Sequence, residues 1–128
     1  MRNAEDGLID SNVFTGWIDT DLNQKGLDEV DEAAVLMLKS GYSIDVTYTS
    51  TLKRAIRTAI LLNVGLSQLY KPIIKSWKLN ERCYGALEGK NKADTAKEFG
   101  ASTVQAIRKG KLHLYTHIRA QVKLATRR

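Results

Sequence analysis

Two arginines stand one helical turn apart at the point where a strand-like segment ends. Arg54 and Arg57 follow Ser50 and Thr51, and the backbone N–H groups in the first turn of a helix favour an anion there. A guanidinium in that turn would add a bidentate clamp for a phosphate. The alternative is that both arginines lie on the solvent face of an amphipathic helix, and the spacing alone favours this second interpretation.

A second group of chemically capable side chains follows the next strand-like run. Glu81, Arg82 and Tyr84 bring a proton carrier, a phosphate clamp and a phenol within four residues, a set that suits acid–base work on a phosphorylated hydroxy acid. A salt bridge in an exposed loop explains the same residues equally well. Three further cations would extend an anion pocket, although each alone is typical of a solvated surface charge: Lys92, Arg108 and Lys109.

Metal or thiol chemistry has weaker support. His113 and His117 are four residues apart and would share one face of a helix, but no third ligand accompanies them, so we expect no metal. Cys83 has no histidine nearby in the chain and is expected to be a small, half-buried side chain rather than a nucleophile. Trp17 and Trp77 are expected to line the core or a cleft.

Helical and strand periodicities alternate along the chain and predict an α/β fold. Apolar residues recur at helical spacing over about 24–40, alternate over 43–49, and return to helical spacing after a cap at Ser50 or Thr51. Residues 72–77 form a second strand-like run, Asn91 caps a short helix through Phe99, and Thr103 begins a helix that continues through Val122. This order predicts a parallel pair of strands.

Composition and charge bound the possible classes of protein. The chain has 128 residues, 43% hydrophobic and 27% charged, with one Pro and one Cys, which excludes collagen-like and strongly disordered classes. No leader or long apolar run is present, so we expect a cytoplasmic protein without a membrane partner. Residues 1–50 hold ten acidic and three basic side chains, whereas residues 51–128 hold four and seventeen. The second part should attract anions.

Nine short motifs, taken together, resemble the cofactor-dependent phosphoglycerate mutases. They follow in the order of that family without a gap over about residues 12–109. The motifs are Phe14-Thr15-Gly16-Trp17, Asp21-Leu22, Lys25-Gly26, Gly41-Tyr42, Tyr48-Thr49-Ser50, Lys53-Arg54-Ala55-Ile56-Arg57-Thr58, Trp77-Lys78-Leu79-Asn80-Glu81-Arg82, Tyr84-Gly85-Ala86-Leu87 and Gly89-Lys90-Asn91-Lys92-Ala93. The family belongs to the histidine phosphatase superfamily, and the resemblance implies its three-layer α/β/α fold.

The resemblance also implies an activity and a set of site residues. In the family, a histidine phosphorylated by 2,3-bisphosphoglycerate passes the phosphoryl group between the 2- and 3-hydroxyls of glycerate, an isomerisation in glycolysis. Glu81 would be the general acid and base. The residues that would bind the phosphoglycerate are Arg2, Thr15, Gly16, Arg54, Arg82, Tyr84, Lys92, Arg108 and Lys109. The implied cofactor is 2,3-bisphosphoglycerate, without a metal.

The chain departs from the family pattern at its nucleophile. The Arg-His-Gly-Glu motif aligns with Arg2-Asn3-Ala4-Glu5, so an asparagine occupies the position of the phosphoryl-accepting histidine. An amide nitrogen cannot replace an imidazole, because its lone pair is delocalised into the carbonyl. Ile9 and Cys83 also stand where the family has asparagine and, commonly, histidine.

The resemblance further suggests that the domain is partial at both ends. Residues 1–110 are expected to form a partial three-layer domain without the first central strand and the C-terminal half, and residues 111–128 an unrelated basic tail. Seven basic and no acidic residues follow Val104, a pattern of one solvated helix face, or of a helix that binds RNA, a membrane or a partner.

Three functional hypotheses remain at this stage. The first is a phosphoglycerate mutase by ancestry with impaired catalysis. The second is a module that binds phosphoglycerate or another anion without turnover. The third is an interaction protein that joins a copy of itself or a full-length mutase subunit; nucleic acid, supported only by the basicity of the tail, is not the expected partner.

Overall fold

The computed structural model describes residues 12–109, which fall into two compact units. The first unit is Asp19–Glu81, and the second consists of residues 12–18 and 82–109. The first contains α1 (Gln24–Lys39), β1 (Thr47–Thr49), α2 (Lys53–Gly65) and β2 (Ile73–Lys75), and the second contains α3 (Lys92–Phe99) and α4 (Ala101–Arg108). The first unit also contains a short 3-10 helix at Trp77–Leu79, and the second unit contains one at Gly85–Leu87.

The two strands of the first unit pair in parallel, as the alternation of elements predicted. Tyr48 lies opposite Ile74 in the register, and Thr47 and Thr49 lie opposite Ile73 and Lys75. The connection between the strands runs through α2, which makes a β-α-β unit. The described residues therefore form the mixed α/β fold that the sequence predicted.

The core of the first unit lies between α1 and α2. Asn23 caps α1 by accepting the backbone N–H of Gly26 at 2.7 Å, and apolar residues at helical spacing then face α2. Gly65 permits a close approach of the two helices, since a Cβ there would lie 2.6 Å from the Cβ of Ala34. The buried apolar residues of this core are Leu22, Val30, Ala34, Leu62 and Leu66.

The strands are shorter than their alternating patterns predicted. The predicted strand over 43–49 forms only at Thr47–Thr49, because the backbone N–H of Ile44 bonds to the side chain of Gln68 at 2.8 Å instead of to a strand. The predicted strand over 72–77 ends at Lys75. Ser76 then caps a 3-10 helix by accepting the N–H of Lys78 at 3.4 Å.

The tryptophans and the last helix also differ from expectation. Trp17 and Trp77 are 45% and 63% exposed, so neither belongs to the core of its unit. The helix predicted to begin at Thr103 begins at Ala101, and α4 ends at Arg108. Its predicted continuation through Val122 lies outside the described residues. The predicted helix from Asn91 through Phe99 is confirmed, with Asn91 accepting the N–H of Ala93 at 2.9 Å.

The second unit has a core of its own. Residues 12–14 pair with 89–92 through backbone hydrogen bonds, among them Phe14 N–H to Lys90 O at 3.0 Å and Lys92 N–H to Asn12 O at 2.9 Å. This pairing brings Phe14 against the helices. The buried apolar residues of this second core are Phe14, Leu87, Val104 and Ile107.

No helix among residues 12–109 combines the length and apolar character that a membrane crossing needs.

The start of α2 is capped from a distant part of the chain. The sequence predicted Ser50 or Thr51 as the N-cap, but the capping position is Leu52, which has no side-chain hydrogen bond to offer. Asp19 supplies the missing acceptor: its Oδ1 accepts the backbone N–H of Lys53 at 2.7 Å, and its Oδ2 lies 4.0 Å from the Lys53 ammonium. A carboxylate at a helix N-terminus also interacts favourably with the helix dipole.

Replacing this distant cap should destabilise the first unit. We expect Asp19→Ala to lower the free energy of unfolding by about 1 kcal/mol, the usual cost of losing a capping side chain, as measured by urea denaturation. Asp45→Ala is the matched control, because Asp45 only reaches Lys71 at 3.9 Å as an exposed ion pair and should cost less than about 0.5 kcal/mol. Equal losses in the two variants would contradict the capping role.

Candidate functional site

Arg54 is a buried arginine in the first turn of α2. Its side chain is 2% exposed, and its guanidinium reaches Glu81 across 27 residues of sequence. Nη2 donates to Glu81 Oε2 at 3.0 Å, and Nη1 lies 3.5 Å from Thr20 Oγ1. The interpretation of Arg54 as a solvated surface residue is therefore wrong, because the chain folds over its side chain and supplies a carboxylate partner.

The segment that ends β2 positions Glu81 against the start of α2. Asn80 closes the 3-10 helix at Trp77–Leu79, and its Oδ1 accepts both the N–H and the hydroxyl of Thr51 at 2.9 Å. These two bonds hold the residue before Glu81 beside the residues that precede Arg54. The Glu81 side chain is 42% exposed. The buried guanidinium of Arg54 therefore has a partner that also contacts solvent.

Arg57 takes a different partner from Arg54. It is 44% exposed and donates from Nη1 to Asp21 Oδ1 at 3.0 Å. This hydrogen bond from Arg57 is the main cause that lowers the pKa of Asp21, and the backbone N–H of Leu22 lowers it further. Although the two arginines are one turn apart, the structure gives each its own carboxylate and does not form a joint clamp.

Loop residues 19–21 run along the first turns of α2 and were missed by the sequence analysis. Asp19 meets Lys53, Thr20 meets Arg54, and Asp21 meets Arg57. This part of the chain is polar and aperiodic, and a residue's contact with a helix more than thirty positions away leaves no local pattern. The only signal was the Asp21-Leu22 motif of the resemblance.

The other predicted site residues that the structure describes lie in the second unit, where several have structural contacts. Arg82 donates from Nη1 to the carbonyl of Ile107 at 2.8 Å, which satisfies one of the terminal carbonyls of α4. The ring of Tyr84 lies 5.0 Å from that of Phe14. Arg82 and Tyr84 therefore help to hold the helices and loops of this unit together.

The second unit holds five more of the predicted site residues. Two are in a loop, Thr15 and Gly16, and three are cations, Lys92, Arg108 and Lys109. Thr15 is buried, 7% exposed, and Gly16 has a positive φ of 53°. Lys92 is half-buried, with its Nζ 6.0 Å from the centre of the Phe14 ring. Arg108 and Lys109 are exposed at the end of α4.

The other residues with predicted chemistry divide between described and undescribed parts of the chain. Cys83 is half-buried, as expected. Arg2, Asn3, His113 and His117 lie outside the described residues. Within 12–109, no three His, Cys, Asp or Glu side chains cluster in a way that could hold a metal ion.

Comparison with known proteins identifies the family. The sequence profile of the histidine phosphatase superfamily (branch 1) matches residues 3–116, most of the chain. The chain belongs to this superfamily. The superfamily that the motifs predicted is thus confirmed.

Solved structures with the same fold include proteins from several bacteria. An alpha-ribazole phosphatase from Shigella flexneri is 25% identical with a TM-score of 0.69, and the match covers 88% of this chain and 53% of that one. Bacillus stearothermophilus YhfR is 25% identical with a TM-score of 0.70, covering 82% and 49%. A mycobacterial glucosyl-3-phosphoglycerate phosphatase, 20% identical with a TM-score of 0.67 over 81% and 47%, shares the fold.

These matches support the superfamily that the resemblance implied, but not the mutase family within it. The chain spans about half the length of the solved structures that it matches. Two of the three proteins are phosphatases by name, and none of the three is named a phosphoglycerate mutase. Superfamily membership is therefore established at a coarser level than the mutase family.

The contact between Arg57 and Asp21 makes a pH dependence testable. A carboxyl whose pKa is lower in the folded than in the unfolded state stabilises the fold above its unfolded pKa, about 3.9 for Asp. That contribution is lost as the pH falls through the lower folded value. Asp21→Asn should therefore flatten the fall in unfolding free energy between about pH 5 and pH 2. The effect should be small, since both partners are about half exposed.

Carboxyl titration by NMR measures the same contact directly. We expect the titration midpoint of Asp21 to rise in Arg57→Ala, because the main cause of its lowered pKa is then removed. An unchanged midpoint would show that Arg57 does not bond to Asp21 in solution.

Proposed function

We propose that the chain binds a phosphorylated hydroxy acid of the phosphoglycerate type, and that Arg54 takes an anionic group of this ligand. The observation that carries the proposal is the buried guanidinium of Arg54, 2% exposed and paired at 3.0 Å with a carboxylate that is 42% exposed. A buried charge is costly unless a counter-ion compensates it. A phosphate is a chemically suitable counter-ion, because it accepts two parallel hydrogen bonds from a guanidinium.

Ligand binding at Arg54 would proceed by exchange of one anion for another. A phosphate carries more charge than the Glu81 carboxylate and offers more acceptor oxygens, so it competes well for the guanidinium. Glu81 can leave the pair without becoming a buried, unpaired charge, because its side chain already reaches solvent. The exchange therefore avoids the desolvation penalty that opposes the breaking of a fully buried ion pair.

The exchange also gives Glu81 the role that the resemblance implies. A carboxylate released from Arg54 would lie beside the bound phosphate. A carboxyl group in that position, near a hydroxyl of glycerate, is suited to general acid–base work. This supports Glu81 as the proton carrier in the ancestral reaction.

Phosphoryl transfer needs a nucleophile as well as a binding site. By resemblance the position of the phosphoryl-accepting histidine is Asn3, whose amide nitrogen is not nucleophilic. The Arg54 guanidinium fits a phosphate of 2,3-bisphosphoglycerate as a ligand, but an amide at the accepting position does not fit it as a phosphoryl donor, and we derive no transfer step from it. We propose that the chain is a mutase by ancestry that binds its ligand with little or no turnover.

Phosphate-ester hydrolysis is the second candidate. The names of the alpha-ribazole and glucosyl-3-phosphoglycerate phosphatases favour it. Hydrolysis would use the same contact between Arg54 and the phosphate. It would differ in the phosphoryl acceptor, which is water instead of a glycerate hydroxyl. The motifs around Phe14–Trp17 and Trp77–Arg82 favour the mutase lineage. Both reactions in this superfamily would need the nucleophile that Asn3 replaces.

Calorimetric titration with 3-phosphoglycerate tests the binding proposal. We expect saturable heat with the full chain and at least a tenfold loss of affinity in Arg54→Ala, since a charge-assisted hydrogen bond contributes about 1.5–3 kcal/mol. Glu81→Gln should bind inorganic phosphate several-fold more tightly than the parent chain, because the competing carboxylate charge is gone. Lys71→Ala removes one positive charge from the same unit and should bind as the parent does.

Two results would contradict the binding proposal. Absence of heat with both 3-phosphoglycerate and 2,3-bisphosphoglycerate would refute the ligand class. Equal losses in Arg54→Ala and Lys71→Ala would show that the binding reflects net charge and not the buried guanidinium.

Turnover is tested separately, by following 2-phosphoglycerate and inorganic phosphate formed from 3-phosphoglycerate. We expect the parent chain to show neither product above the level of an Arg54→Ala sample prepared in the same way, which controls for a contaminating host enzyme. Loss of a covalent nucleophile costs several orders of magnitude in rate. A rate of 2-phosphoglycerate formation that Arg54→Ala abolishes would overturn the predicted inactivity, and release of phosphate alone would favour the phosphatase.

A further inference from the structure

A single carboxylate oxygen joins two loops of the second unit. Oε1 of Glu88 accepts the backbone N–H of Trp17 at 3.0 Å and that of Tyr84 at 2.9 Å. Glu88 is half-buried. Among residues 12–109, no cation lies within ion-pair distance of its carboxylate, which bonds to these two backbone N–H groups instead.

The backbone pairing in this unit explains why Trp17 bonds to a side chain. Residues 12–14 pair with 89–92, and the pairing ends with the Gly89 N–H donating to Phe14 O at 2.9 Å. The chain then turns at Gly16, where φ is 53°, and Ile18 folds back to donate to Thr15 O at 2.9 Å. Trp17 therefore lies beyond the last backbone hydrogen bond between residues 12–14 and 89–92. The Glu88 carboxylate adds one more hydrogen bond between these two parts of the chain.

The second bond fixes the other end of the same segment. Tyr84 precedes the 3-10 helix Gly85–Leu87, and Glu88 follows it. Since the Glu88 side chain reaches back over this turn, it satisfies the N–H at the start of the turn, as a capping side chain does. The Tyr84 ring also packs against the ring of Phe14, with 5.0 Å between the ring centroids.

Gly16 and Glu88 are sterically matched. A Cβ built on Gly16 would overlap the carboxylate of Glu88. The positive φ at Gly16 is also a conformation that favours glycine. The turn therefore leaves the space that the carboxylate occupies, and any larger residue at position 16 would have to displace Glu88.

We propose that Glu88 is a positioning residue of the second unit, acting through the loops that it joins. It sets the distance between the Thr15–Trp17 turn and Tyr84, the two segments of the second unit that the resemblance assigns to phosphoglycerate binding. This inference rests on the proposed function for its role in binding, whereas the two hydrogen bonds stand on the geometry alone. Hydrogen bonds to a charged acceptor are stronger than neutral ones, which suits a bridge between two loops.

Backbone amide NMR tests the bridge without a ligand. Both amides of Trp17 and Tyr84 should be protected from hydrogen exchange in the parent chain, since one carboxylate oxygen accepts from both. Glu88→Gln, whose amide oxygen still accepts hydrogen bonds, should keep most of this protection. In Glu88→Ala both amides should lose hydrogen-exchange protection, while Glu98→Ala, which removes an exposed glutamate of α3, should leave them unchanged. Independent behaviour of the two amides would overturn the bridge.

Affinity for 3-phosphoglycerate then tests the role in binding. We expect about tenfold weaker binding in Glu88→Ala, and binding within about twofold of the parent in Glu88→Gln and Glu98→Ala. Thermal unfolding of each variant ensures that affinity is compared between folded proteins. A destabilised Glu88→Ala with unchanged affinity would overturn the positioning role and leave the proposed function standing. No binding by the parent chain would refute the proposed function and the ligand role together, while the amide hydrogen exchange would still decide the bridge.

Discussion

The ion pair between Arg54 and Glu81 is the constraint on which the arrangement of the first unit depends. A guanidinium that is 2% exposed costs several kcal/mol to desolvate unless a counter-ion is held beside it. Holding that counter-ion requires the exit of β2 to meet the start of α2, which the bonds between Asn80 and Thr51 achieve. The parallel pairing of β1 and β2 brings these two chain segments to the same edge.

Acidic side chains also occupy backbone N–H groups that would otherwise attract anions. Asp19 takes the N–H of Lys53 at the start of α2, and Glu88 takes those of Trp17 and Tyr84. Helix N-termini and converging backbone N–H groups are common phosphate sites. Because the chain fills these positions with its own carboxylates, a ligand anion would depend on arginine side chains more than on the backbone.

The local elements could be predicted from the sequence, but the site contacts could not. The spacing of apolar residues and the cap at Asn91 predicted three helices close to their observed bounds. The N-cap of α2 was misplaced, because the side chain that accepts the N–H of Lys53 belongs to Asp19, 34 positions away. The burial of Arg54 was missed for the same reason: helical periodicity assigns arginine to the solvent face, and its partner is 27 residues distant.

Binding and transfer place separate demands on a phosphoryl-transfer site, and under the proposed function this chain meets only the first. Binding needs preorganised positive charge, which Arg54 supplies within the described fold. Transfer needs in addition a nucleophilic side chain, and the nitrogen of Asn3, which the resemblance aligns with the phosphoryl-accepting histidine, has its lone pair delocalised into the carbonyl. In this chain the Arg54–Glu81 pair is present together with an asparagine at the aligned position. Retention of the binding geometry is therefore compatible with loss of turnover, and superfamily membership alone does not imply catalysis.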